Sequence, residues 1–272
     1  MKIKLFLLIT GFLTVFSVSS AIAEGSKLVL TGSSTVAPLA LEIAKRFEKG
    51  NPGIRVDVQT GGSSRGINDA RKGLADIGMV SRALKPEESD LTPYTVAMDG
   101  IGIIVHKSNP VQKLSDEQII SIYTGAVENW KEVGGTDSPI TVVNKAEGRS
   151  TLELFLHHFS LKNSDIKADV VIGDNQQGIK TVSGNPGSIG YVSIGTAEYE
   201  ERHGTLIRLL PMEGVPATVD NVRDGKFPLS RQLNLVVKGT PSPLANAFID
   251  FAQSKDVHAL IEAQFFVPLE SE

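Results

Sequence analysis

The 272-residue chain has no cysteine, a single tryptophan and no basic stripe. Without cysteine there is no thiolate nucleophile, no Fe–S cluster, no cysteine-ligated zinc and no disulfide framework. The charge balance of 27 Lys+Arg against 31 Asp+Glu gives −4. It lacks the clustered cations that displace counterions from nucleic acid, so no nucleic-acid partner is expected. No His pair at i, i+4 encloses a Glu, and no acidic loop has calcium-ligand spacing. No G-x-G-x-x-G opens a helix, and neither Gly-rich loop ends in Gly-Lys-Ser/Thr. Neither a metal nor a cofactor is therefore expected. What is present is 41% hydrophobic and 21% charged, with 26 Gly and 13 Pro, a composition that fills a core and excludes disorder.

Residues 1–23 differ from the rest. Lys2 and Lys4 precede a largely apolar stretch from Leu5 to Val18, and Ala21-Ile22-Ala23 fits the small-x-small cleavage rule. This is the pattern of a secretory signal peptide, cleaved after Ala23. A membrane anchor fits less well, because roughly 18 apolar residues are needed to span a bilayer and Thr10, Gly11, Thr14 and Ser17 dilute this run. The remaining chain is of a size, about 250 residues, at which single cores stop growing and chains divide into lobes.

Beyond residue 24, short strand-like runs alternate with amphipathic helices, the signature of an α/β protein. Strands are expected at 27–31, 54–60, 75–80, 101–106, 140–144, 188–192 and 233–238. Helices are expected at about 38–49, from 67 to about 73, at 116–123, from about 151 to 159, at 243–252 and at 256–265. In the first helix Leu39, Ile43 and Phe47 recur on one face.

Three times a strand runs into a loop of Gly and hydroxyl residues that opens a helix, at 32–35, 61–66 and 148–151. A helix start exposes unpaired N–H groups and partial positive charge, which suits an anion. Loops that follow parallel strands gather at one sheet edge, where α/β proteins bind ligands. Arg65, Arg82, Lys145 and Arg149 lie in or beside these loops. Any one such loop is better explained as an N-cap; the three together point to a small oxyanion.

The rival reading is a serine hydrolase. Gly62-Ser63-Ser64-Arg65-Gly66 fits G-x-S-x-G between a strand and a helix. The chain offers His106, His157, His158, His203 and His258 as possible bases, none with a supporting motif. No catalytic residue is therefore expected.

With those residues in view, the chain resembles the periplasmic phosphate-binding proteins of phosphate-specific ABC transporters. The resemblance runs through Gly32-Ser-Ser-Thr-Val-Ala-Pro38, Gly61-Gly-Ser-Ser-Arg-Gly66, Ala75-Asp-Ile-Gly-Met-Val-Ser-Arg82, Ile122-Tyr-Thr-Gly, Asn129-Trp130 and Val133-Gly-Gly-Thr-Asp137. It continues through Asn185-Pro-Gly-Ser-Ile-Gly-Tyr191 and Phe227-Pro-Leu-Ser-Arg231. It implies a type II periplasmic-binding-protein fold, two α/β lobes joined by two crossing strands with the ligand in the cleft. Lobe one is expected over 24–100 plus about 205–272, and lobe two over about 101–204. The crossings are expected near Asp99–Val105 and Ile189–Leu210.

The resemblance also implies a periplasmic monomer that binds inorganic phosphate and hands it to a membrane permease complex. It assigns phosphate binding to Ser34, Thr35, Ser63, Ser81, Lys145, Arg149, Ser150 and Thr151, and Arg82 is added for its charge. Two departures stand out. The best-known branch has Arg-x-x-Gly-Ser-Gly-Thr where this chain has Lys145-Ala-Glu-Gly-Arg149-Ser150-Thr151, so a guanidinium fork becomes an ammonium. That branch also has Asp at the Ser81 position. An ionised Asp accepts the proton of hydrogen phosphate and repels sulfate, whereas Ser repels nothing. Sulfate, molybdate, tungstate and arsenate are the competing ligands, and a sensing rather than transport role uses the same cleft. Glu147 is either a substitute acceptor or a partner for Lys145.

Overall fold

The computed structural model describes residues 26–269; the expected signal peptide and its cleavage after Ala23 lie outside the described residues. Its first half runs β1 (Lys27–Gly32), α1 (Ala37–Gly50), β2 (Arg55–Thr60), α2 (Ser63–Lys72), β3 (Ile77–Val80) and β4 (Leu91–His106). There follow α3 (Asp116–Tyr123), β5 (Thr141–Lys145), α4 (Ser150–His158), β6 (Val170–Ile172), α5 (Asn175–Gly184), β7 (Ser188–Ser193), α6 (Ile194–Arg202), β8 (Ile207–Leu209) and α7 (Val219–Arg223). The chain closes with β9 (Ser230–Lys238), α8 (Pro243–Ala252), α9 (His258–Ala263) and β10 (Val267–Pro268). Among the described residues no helix is long and apolar enough to cross a membrane.

The strands form one curled sheet in the order β2-β1-β3-β9-β4-β7-β5-β6. Strands β2, β1 and β3 are parallel, and β9 runs antiparallel beside β3. Strand β4 belongs to both halves. Its residues Leu91–Gly100 pair with β9, and Ile101–Val105 pair with β7. Past that change of partner, β5 and β6 continue parallel to β7, and β8 pairs with the far end of β4. The chain rejoins the first half-sheet at Ser230, where β9 begins. Residues 207–209 thus stay with the second half-sheet, because Ile207–Leu209 bonds to Ile104–His106.

Each half has its own core. In the first, Leu39, Ile43 and Phe47 of α1 meet Phe248 and Ile249 of α8 over Leu28, Leu30 and Ile77. In the second, Tyr123, Trp130, Phe155 and Tyr191 are fully buried, and the Phe155 and Tyr191 rings stack 3.9 Å apart. That stack seats α4 against β7.

At the junction of the halves, Asp99 of β4 is the cross-strand neighbour of Arg231 of β9. Arg231 donates from Nε (3.0 Å) and Nη2 (2.8 Å) to Asp99 Oδ2, with both side chains 1% exposed. Asp99 Oδ1 accepts from Ser193 Oγ and the Gly195 N–H. One carboxylate therefore ties both crossing strands to the end of β7 and the start of α6. Removing one member of a buried ion pair leaves its partner uncompensated. Asp99→Asn is expected to destabilise the protein by about 3–5 kcal/mol, read from urea unfolding.

Candidate functional site

Most of the longer helices are capped by a side chain. Ser115, Asp174, Ser193 and Ser242 each accept an N–H at the starts of α3, α5, α6 and α8. Helices α1, α2 and α4 have no side-chain cap. These are the helices opened by the three Gly/hydroxyl loops; in α1 and α2 the Ala37 N–H donates to Ser33 O, Pro38 has no N–H and the Ser64 N–H donates to Gly148 O, so the amides at the start of α4, on Ser150 and Thr151, are the ones offered to a ligand.

Local sequence explains how the uncapped ends converge. Helix α2 begins at Ser63, earlier than the expected Ile67, after Gly62 turns with φ +91°. A Cβ on Gly66 would lie 2.7 Å from Met79 O and 2.8 Å from Thr31 O. Only glycine lets this helix settle directly on β1 and β3, which brings Ser63 to the strand ends. A Cβ on Gly62 would lie 2.5 Å from Gly148 O across the cleft, so the two glycine loops touch backbone to backbone.

The structure buries Thr35, Ser63, Ser81, Lys145, Ser150 and Thr151, all expected site residues. Ser33 Oγ accepts the amides of Thr35 and Val36 and donates to Ser81 Oγ at 2.9 Å. The Ser81 N–H donates to Ser63 Oγ at 3.1 Å. The hydroxyl hydrogens of Ser63 and Ser81 are left to serve a ligand. From the other half, Lys145 Nζ donates to Asn175 Oδ1 (3.0 Å), and Asn175 Nδ2 donates to Thr35 Oγ1 (3.2 Å). Arg231 donates from Nη1 to Thr151 Oγ1 (2.9 Å) and from Nη2 to Thr35 Oγ1 (3.2 Å). Thr35 and Thr151, on opposite lobes, therefore share one guanidinium.

Arg231, Asp99 and Asn175 were missed by sequence reasoning. Arg231 ends a stretch that carries the family resemblance, Phe227-Pro-Leu-Ser-Arg231, and that position was the available signal. Asp99 and Asn175 carry no local mark at all.

The electrostatics are unbalanced toward positive charge. Lys145, Arg149 and Arg231 converge, and Asp99 answers only Arg231. Burial, then the nearby Arg231, pull the Lys145 ammonium from its ordinary 10.5 to about 7, with Arg149 adding to the effect and Asp174 opposing it. Arg149 Nε and Ser150 Oγ are buried without a hydrogen-bond partner among the described residues. Unpaired buried donors beside excess positive charge are costly unless an anion meets them. The arrangement can seat a small oxyanion.

Other expected residues are placed differently. Ser34 is half-buried and lines a crevice of about 380 Å³ with Ala37, Leu41, Thr60 and Asn175, outside the buried network. Arg82 needs correcting as an anion ligand. Its Nη1 and Nη2 grip Glu88 at 2.7 and 2.8 Å, and Nε lies 3.0 Å from Glu153 Oε2, close enough to pair charge but out of line for a hydrogen bond. Two carboxylates already neutralise it. Arg65 turns away to Thr60 O, Gln59 and Asp69. Glu147 accepts from Asn163 Nδ2 rather than pairing with Lys145. In the G-x-S-x-G loop, Ser64 Oγ faces Glu153 at 3.4 Å; His106 is bonded to Ser108 and His203 to the Tyr199 carbonyl.

The chain is similar to known proteins over most of its length. The model of the PBP superfamily domain matches residues 18–256. The phosphate-binding protein PstS of Bacillus subtilis is 28% identical over 252 residues, covering 91% of this chain and 82% of that protein. A putative phosphate ABC transporter substrate-binding protein from Clostridium perfringens, solved with bound phosphate, superposes with a TM-score of 0.83 at 31% identity. That match covers 90% of this chain and all of that one. An ABC-type phosphate transport receptor from Vibrio cholerae gives a TM-score of 0.74 at 30% identity, over 89% of this chain and all of that one.

The lowered Lys145 value has a testable sign. Between pH about 7 and 10.5 the unfolded lysine holds a proton that the folded, anion-free one lacks, so stability rises with pH across that window. The stability of wild type relative to Lys145→Met is expected to increase from pH 7 to pH 9 in urea titrations of anion-free protein.

Proposed function

The chain belongs to the PBP superfamily and, within it, to the substrate-binding proteins of phosphate ABC transporters; from that premise we propose that it captures inorganic phosphate outside the cytoplasm and delivers it to a membrane permease. One observation carries the choice of ligand. Lys145, Arg149 and Arg231 outnumber the carboxylates that answer them, Asp99 on Arg231 and Asp174 beside Lys145, with Arg149 Nε and Ser150 Oγ left unpaired beside uncapped helix starts. That is the complement of a small multivalent anion.

In this reading Thr35, Ser63, Ser150 and Thr151 donate hydroxyl or amide hydrogen bonds, with Ser34 at the mouth. Lys145, Arg149 and Arg231 neutralise charge. Ser81 is both donor and acceptor, and its hydroxyl takes the proton of hydrogen phosphate, since Asp99 is fully occupied by Arg231, Ser193 and Gly195. A hydrogen bond to a charged group contributes about 1.5–3 kcal/mol. A handful exceeds the roughly 8 kcal/mol of micromolar affinity, offsetting desolvation and closure of the lobes. The lobes we propose follow the strand pairing, 26–100 with 230–269 against 101–229. The protein works as an exported, non-enzymatic monomer, freed of residues 1–23 by cleavage after Ala23.

Titration calorimetry with phosphate, sulfate, molybdate, tungstate and arsenate at two pH values tests the ligand. Phosphate is expected to bind at least about tenfold tighter than sulfate, and Arg149→Ala to lose about tenfold or more in phosphate affinity. A smaller preference removes phosphate as the ligand, and an unchanged constant removes Arg149 from the site. Hydrolysis of p-nitrophenyl esters abolished by Ser64→Ala would replace the receptor reading with a hydrolase.

A further inference from the structure

On one rim of the cleft, away from Asp99 and Arg231, the two lobes meet through a cluster of charge. Glu153 stands in the first turn of α4, whose start carries Ser150 and Thr151. Its Oε2 lies 2.8 Å from Lys85 Nζ and 3.0 Å from Arg82 Nε, and its Oε1 accepts from Ser64 Oγ at 3.4 Å. Lys85, Arg82 and Ser64 all belong to the opposite lobe. Beside them the Ser64 N–H donates to Gly148 O at 3.2 Å. Arg82 is 4% exposed and Glu88 6%, and Glu88 also accepts the Lys85 N–H. Arg82 is thus fixed within its own lobe, whatever Glu153 does.

The charges are apportioned unevenly between the lobes. On the lobe-one side, Arg82 and Lys85 face Glu88 and leave one positive charge over. Glu153 brings the matching negative charge from lobe two. A carboxylate so near an anion-binding helix start repels the ligand unless it is itself neutralised, and the opposite lobe supplies that neutralisation. When the lobes part, Arg82 keeps Glu88, while Glu153 loses both cations at once. Lobe opening therefore carries an electrostatic penalty that is separate from the ligand's own contacts.

Resting on the reading of a two-lobed anion receptor, we propose that Glu153 is a positioning residue. Clasped by Lys85 and Arg82 across the cleft, it holds the first turn of α4 closed over the bound anion and sets how slowly that anion leaves. Its simpler role, a carboxylate favoured by the dipole of its own helix, needs neither Lys85 nor Arg82.

The test uses the full-length exported protein, with Glu153→Gln, Lys85→Met and the double variant, and phosphate as probe. Glu153→Gln is expected to speed phosphate release about tenfold, with the association rate within about twofold. Lys85→Met should speed release as well, and the double variant should release no faster than Glu153→Gln alone. Release from wild type should speed up with salt, and that salt dependence should be weaker in Glu153→Gln. The anion-free Glu153→Gln protein should still unfold in one cooperative transition. Release rates within about twofold of wild type overturn the proposal, as does a Glu153→Gln defect that Lys85→Met does not share. If wild type binds none of the oxyanions, the receptor reading fails separately. Small-angle scattering then decides for the clasp: Glu153→Gln more expanded than wild type supports it, and equal radii of gyration refute it.

Discussion

The buried pair of Asp99 and Arg231 is the constraint on which the rest depends. A buried ion pair is weak evidence for stability, because desolvation offsets most of its attraction. Its effect here is geometric. Asp99 takes Nε and Nη2 on one oxygen, so the guanidinium plane is locked, and Nη1 and Nη2 then reach Thr151 and Thr35. The other oxygen holds Ser193 and Gly195, which ties down the start of α6 beside Asn175. A single carboxylate at the change of strand partner thereby orients donors from both lobes.

Around that anchor the molecule separates two uses of charge. Inside, cations outnumber carboxylates, and the imbalance shows in the Lys145 ammonium, which burial and Arg231 draw down to about 7. At the rim, Arg82, Lys85, Glu88 and Glu153 come to neutrality only when the lobes meet. Excess charge at the centre suits a small anion, and the charge at the rim is balanced across the two lobes. The aromatic stack of Phe155 on Tyr191 keeps α4 in register with β7. Tyr191 bonds to Asn144 and to the Lys145 amide, so the second core positions Lys145 as well as Ser150.

Much of this was legible in residue order. Leu39, Ile43 and Phe47 recur at helical spacing, and they are the face of α1 that meets α8. Gly66 closed the loop expected before α2; it lies inside that helix, and its missing side chain is what seats the helix on the strands. Helix α5 was not legible, because its ten residues include Gly178, Gly184, Ser183 and Thr181, poor helix formers. It forms because Gly178 packs against Ile172 and Asp174 caps its start. Arg82 was misread because a basic residue beside a hydroxyl loop looks the same whether or not carboxylates meet it. Glu88 lies six positions on and Glu153 in the other lobe.

Residue order by itself determined the α/β alternation, the three glycine–hydroxyl loops and the absence of thiol chemistry, because these depend on residue type and on spacings of a few positions. Tertiary structure alone decided which cations face the pocket and which are already paired. Asp99 and Arg231 lie 132 positions apart, Thr35 and Asn175 140, and Thr35 and Arg231 196. They meet through sheet register and lobe packing, which no local periodicity encodes.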